Sequence, residues 1–255
     1  MTDDPAARLS DLVAQHGEAV PLDEACLLVA AHAHPGLDIA AERARLDSIA
    51  AGVSAPTVDA VCSHLIDDLG FTGDSDGYHD ARNALLPDVL DRRSGMPLTL
   101  AVVAMEVGRR CGVTMLGVGM PGHFLLRPAE EDARFIDIFD GRARLDRADC
   151  RGIFGRLHAD ATWDDRFLDP VAPLAIVTRM LLNLANSYRR SGERRALASV
   201  MDMRLVLPDA TERDHRELAL LLGASGRYDA AADVLEATGR QRDQESAARM
   251  RARLN

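Results

Sequence analysis

The stretch MPLTLAVVAMEVGRRCG, residues 96–112, is apolar on nearly every side until its closing arginines. A helix that is apolar all round is a buried one. Pro97 suits the first turn, where its missing N–H goes unneeded, and Gly112 suits the end. Such a helix needs cover in every direction, so the flanking sequence must supply the layers.

Immediately downstream the texture changes. VTMLGVGMPGHFLLRP (113–128) and ARFIDIFDG (133–141) are short apolar runs bounded by turn residues. They predict strands near 113–119, 122–128 and 133–138. His123 follows a Pro-Gly turn on one of them, and Asp137 sits between Ile136 and Ile138 on the next. In a strand Asp137 points away from both isoleucines, and a buried carboxylate needs a partner. His123 is the nearest candidate, and together they supply a base and its orienter. Residues 141–157 read as strand or loop, then helix. TWDDRFLDPVAP (162–173), with two prolines, reads as a boundary.

Upstream, short helices are predicted over 5–15 and 21–34, a further one over 38–53, and an amphipathic one over 55–71 that gathers Val58, Val61, Cys62, Leu65 and Leu69 on one face. TGDSDGYHDARN (72–83) is turn-rich, and ALLPDVLDRRSG is a short helical segment. Beyond Pro173 the chain is helical again and repeats itself. Gly192 falls on Gly226, Leu184-Ala185 on Leu218-Ala219 and Met201 on Leu235, a period of 34 residues. That is the tetratricopeptide period, with small residues where two helices cross. Two repeats are too few to stand free, so this tail is expected to lean on the first domain.

The 255 residues carry a net charge of −10, 47% hydrophobic and 27% charged side chains. Those proportions fit a globular chain with a real core. The basic balance of a nucleic-acid binder is missing. All 30 basic residues are arginine, so no Schiff-base lysine is available. No apolar run reaches the ~20 residues of a membrane span. The start, MTDDPAARLSDLV, lacks a signal layout, and the expected location is cytoplasmic. Cys26, Cys62, Cys111 and Cys150 are widely spread without zinc spacing, which predicts free thiols. No metal or cofactor is expected.

YHDARNALLPDVLDRRSGMPLTLAVVAMEVGRRCGV, GVGMPGHFLLR, FIDIFDG and RMLLNLANSYRRSGE, in that order, resemble the motifs of the bacterial Sir-B-one type family. The likeness spans about residues 20–245. It departs at Ala84, where Ser or Thr is usual, and at Ile138, where Pro is usual. The resemblance implies an α+β fold. A transglutaminase-like, papain-type domain sets a small antiparallel sheet against the buried helix (1–171). An α-helical tetratricopeptide-like tail follows (172–255). It also implies a thiolate at the start of the buried helix, where the helix dipole and free amides lower a thiol pKa. The histidine would take the proton and the aspartate would orient it. At that place the sequence reads Gly95-Met96-Pro97. Proline cannot attack or lose a proton. Thr99 lies two residues on and is a poor substitute unless a base is close.

Among the thiols, Cys111 sits at the far end of the helix, ~20 Å away. Cys26 and Cys62 read as core, and only Cys150 is not excluded by distance. The sequence thus predicts His123 and Asp137 as a remnant catalytic pair. Asn83, Pro97, Thr99 and His123 are the residues expected at a binding cleft, with Tyr78, His79 and Asp80 at its rim or in turns. Two functions compete. One is a non-catalytic regulatory or interaction protein, engaging a protein or peptide partner through the helical repeats. The other is a hydrolase or acyl-transferase using His123–Asp137 with an unorthodox nucleophile or water.

Overall fold

The computed structural model describes residues 4–141 and 143–254. Helix α1 (Pro5–His16) is capped by the Asp4 carboxylate on the Ala6 amide, and α2 (Leu22–Ala30) is almost wholly buried. Then come α3 (Ile39–Ala50) and α4 (Val58–Ser63). The amphipathic segment predicted over 55–71 is one helix in direction but not in hydrogen bonding. After Ser63 it widens into a π-helical turn, His64–Asp68.

The turn-rich segment is more ordered than its composition suggests. β1 (Thr72–Gly73) pairs in parallel with β2 (Ser94–Gly95), closing the loop that contains α5 (Leu86–Arg92). This two-residue ladder leaves α6 (Pro97–Arg110) leaving the small sheet directly. α6 buries Pro97 through Ala104 without a break, then Glu106, Val107 and Gly108, as its apolar circumference requires.

A four-stranded antiparallel sheet follows in the order β3 (Met115–Val118), β4 (Leu125–Pro128), β5 (Phe135–Asp137), β6 (Ala143–Leu145). Both faces are covered. Leu126 and Ile136 join the main core around α6, whereas Leu125 and Phe135 turn to a second apolar cluster with Cys150 and Phe154 of α7 (Arg147–Leu157) and Leu168. Ile136 and Ile138 both enter the main core, and Asp137 points elsewhere. The stretch 162–173 is stitched to the sheet edge: Pro170 bridges Val118, and the Val171 amide donates to the Gly117 carbonyl at 2.9 Å.

The remainder is helical: α8 (Pro173–Ser191), α9 (Arg194–Leu205), α10 (Glu212–Ala224), α11 (Tyr228–Glu236) and α12 (Gln241–Arg251). The positions related by 34 residues are alike in three dimensions. Gly192 and Gly226 both take positive φ at interhelical turns. Leu184, Ala185, Leu218, Ala219, Met201 and Leu235 are all buried. α8 lies against α2 and α6, and its Ile176, Val177, Met180, Leu181 and Leu184 belong to the main core. Among the described residues no helix is long and apolar enough to cross a membrane.

Candidate functional site: a histidine–aspartate pair at the head of a buried helix

Three local devices converge on the N-terminus of α6. The first fixes the helix start. The Thr72 amide donates to Arg93 O at 2.9 Å, Asp74 N to Gly95 O at 3.1 Å, and Met96 N to Asn83 O at 3.1 Å. Asn83 is fully buried. Both donors of its amide are spent, on Asp74 Oδ2 (3.1 Å) and Gly77 O (2.7 Å), while its oxygen accepts from Arg92 (2.9 Å). The Asn83 side chain is therefore engaged within the chain, holding the 74–83 loop to the helix start. Gly73 passes so close to Phe139 that a Cβ there would lie 2.5 Å from its ring, and Tyr78 packs edge-on against Phe139. The loop is thus tied to the turn after Asp137.

The second device is the turn that presents His123. Its amide donates to Met120 O at 3.0 Å, across Pro121 and Gly122. Gly122 has φ +77°, and a Cβ there would meet the His158 ring at 2.8 Å. Glycine is required on both counts. Arg179 of α8 clamps the same turn, donating to His123 O at 3.0 Å and Met120 O at 3.4 Å. Burial lowers the pKa of this guanidinium, and among the described residues it forms no ion pair with a carboxylate.

The third is the pair itself. His123 Nε2 lies 2.6 Å from Asp137 Oδ2. The other carboxylate oxygen accepts from the amides of Phe139 (3.0 Å) and Asp140 (3.1 Å). Asp137 is buried and fully used, which meets the requirement on a carboxylate out of water. With the carboxylate on Nε2, the proton belongs there, and Nδ1 has no hydrogen-bond partner among the described residues.

Pro97 occupies the first position of α6 and is buried. Thr99 is fully buried too, its Oγ1 lacking a hydrogen-bond partner among the described residues. Cys150 is fully buried in the second apolar cluster. Burial, reinforced by the Asp149 and Asp146 carboxylates, pushes its thiol up to about 11. Cys26 is raised well above its ordinary value by burial, and burial raises Cys111 as well. None of the four is in a disulfide. Of the expected rim, Tyr78 and His79 meet edge to face, while Asp80 caps the 3-10 turn Ala81–Ala84 and pairs with Arg82. The Arg179 clamp was not anticipated as a site residue. Its signal was the RMLLNL segment, which places Arg179 and Asn183 one helical turn apart on α8, with Asn183 reaching Met96 Sδ at 3.3 Å.

The sequence profile of the transglutaminase-like superfamily matches residues 9–182, and the chain belongs to that superfamily. It is similar to a UPF0162 protein of Pseudomonas aeruginosa, 34% identical over 213 residues, covering 80% of this chain and 77% of the relative. A UPF0162 protein of Xylella fastidiosa is 32% identical over 193 residues, 70% and 69% of the two chains. Mouse F-box only protein 21 is 30% identical over 144 residues, which is 53% of this chain but 22% of that longer one. No solved structure matches.

Proposed function

We propose that this chain is a non-catalytic regulatory or interaction protein built on a degenerate transglutaminase-like domain. In this reading residues 1–171 form that domain and 172–255 a tetratricopeptide-like tail of the kind the Sir-B-one resemblance implies. The observation that carries it is Pro97 at the first position of α6, in a chain that keeps the hydrogen-bonded His123–Asp137 pair. Thiol chemistry needs an ionisable sulfur at that place, and proline has none.

The environment of the other nucleophiles supports the same reading. The Thr99 hydroxyl is sealed from solvent, so a substrate carbonyl has no route to it. Cys150 sits where the thiolate is disfavoured. His123 and Asp137 then act as a ligand-facing or structural pair, with Pro97 and Thr99 shaping the wall behind them and Asn83 holding the loop. Partners engage the helical tail, whose stacked helices offer an extended surface.

The test is direct. The purified chain, assayed on fluorogenic amide and ester substrates and on glutamine–amine transfer, is expected to show no turnover above a His123→Ala control. Turnover that disappears in H123A would overturn the proposal and restore a hydrolase or acyl-transferase.

A further inference from the structure

We propose that the cavity between α10, α11 and α12 binds an acidic segment of a partner protein that carries an apolar side chain. This rests on the reading of the tail as a partner surface and names the chemistry of that partner.

The cavity is about 320 Å³, with Leu220, Leu235 and Met250 among its lining. Leu220 is 67% exposed, the most exposed of the large hydrophobic side chains among the described residues. A leucine held open to water beside a methionine, in a concavity rather than on a convex face, is apolar surface awaiting cover. Methionine adapts its shape to an incoming side chain at small cost.

The wall is cationic in a chain of net charge −10. Arg216 and Asp243 at its base satisfy each other through two bonds of 2.8 and 3.0 Å, and Thr238 adds a third to the carboxylate. Asp243 is buried and its oxygens are taken by Arg216 and Thr238, so its charge is matched first by Arg216, with the adjacent Arg242 a weaker influence. Arg242, Arg249 and Arg253 also line the cavity. Among the described residues none of the three has a carboxylate within ion-pairing distance. Arg249 donates to the Ser246 hydroxyl, and Arg253 lies over the Tyr228 ring. Arg251, two residues from Arg249 and so on the opposite side of α12, is held by Asp233 and Glu236.

The spacing defines the ligand. Positions 242, 246, 249, 250 and 253 form one helical stripe. From Arg242 on α12 to Arg253 in the 3-10 turn Ala252–Leu254 that continues it, the stripe runs ~16 Å at ~1.5 Å per residue, the reach of about five extended residues. Acidic side chains at both ends and an apolar one between them, over Leu220 and Met250, match that layout. The acidic remainder of the molecule repels such a segment and steers it here.

The probe is a fluorescein-labelled peptide, GEELEEG, titrated against the intact chain by anisotropy, with GQQLQQG and GEEAEEG as controls. Saturable binding is expected. It should weaken about tenfold for the R242E/R249E variant and for GQQLQQG, and fall again at high salt. L220S and GEEAEEG should each lose severalfold. The substituted side chains are exposed or at the cavity wall, and thermal unfolding followed by circular dichroism checks that the fold persists. Absence of saturable binding, or affinity unchanged in R242E/R249E, would overturn the proposal. So would displacement of the peptide by a single-stranded oligonucleotide of higher affinity. Concentration-dependent dimerisation in sedimentation, abolished by L220S, would assign the cavity to a second copy instead. These outcomes leave the non-catalytic reading untouched, since that reading stands or falls on turnover and on H123A.

Discussion

His123 gives Nε2 to Asp137 and has no partner on Nδ1 among the described residues, while Asp137 collects two main-chain amides besides. Replacing Asp137 by Ala leaves those donors unpaired in a buried place. The expected cost is about 3 kcal/mol, read from urea unfolding, and an unchanged midpoint would show the pair to be decorative. The thiols offer a second check at this scale. Cys111 is half-buried, whereas Cys26, Cys62 and Cys150 are buried. Iodoacetamide at neutral pH should therefore label Cys111 first and the others only as the chain unfolds. Rapid labelling of Cys150 in the native protein, lost in H123A, contradicts the account. The pair was legible in the sequence because an aspartate flanked by isoleucines must be paid for by a partner. The Arg179 clamp was harder to read: RMLLNL marks the position, but donation to two carbonyls leaves no trace in hydropathy.

Among the elements, α6 and α2 are joined by a buried ion cluster rather than by packing alone. Arg110 reaches Asp23, Glu106 and Asp47, each at 2.6 Å. Burial raises the Asp23 carboxyl, but the Arg110 bond and neighbouring Arg43 outweigh it and hold the pKa below its ordinary value. Arg110→Met leaves Asp23 to Arg43 and Arg109 and Glu106 to Arg109 alone, and the lost charged hydrogen bonds are expected to cost about 1–3 kcal/mol in denaturant unfolding. A loss under 1 kcal/mol, on the scale of an exposed pair, refutes the cluster's role. His32, at the end of α2, gives a pH dependence. Burial holds it below its ordinary value of 6.5, so the unfolded chain binds the proton more readily. The stability His32 confers is full above 6.5 and is lost as pH falls toward the folded pKa. The wild-type minus H32Q difference in unfolding free energy should shrink over that window, and a difference flat with pH excludes the effect. α6 was plain from its apolar circumference. The β1–β2 ladder was not, since two-residue strands of Thr-Gly and Ser-Gly carry no alternation. Nor was the π-helical turn, which shifts hydrogen bonds without changing which face is apolar.

At the scale of the whole molecule, the tail begins inside the domain core rather than after it. Leu181 on α8 is fully buried in the main cluster, so Leu181→Ala should cost about 2–5 kcal/mol and lower the single unfolding transition of the entire chain. A separate, unshifted transition for the sheet domain would mean the two parts fold independently. The period of 34 residues was readable from Gly192 and Gly226. The stitching of Pro170 and Val171 to the sheet edge was not, because two prolines read as a linker until the strand they border is known. The central claim is that a cysteine-type scaffold survives around a missing cysteine, and the thiol pKa of Pro97→Cys tests it most directly. Followed by absorbance or by the pH dependence of alkylation, that thiol should titrate well below ~8.5, and H123A should move it back up. A thiol that titrates near ~8.5 regardless of His123 would contradict the account.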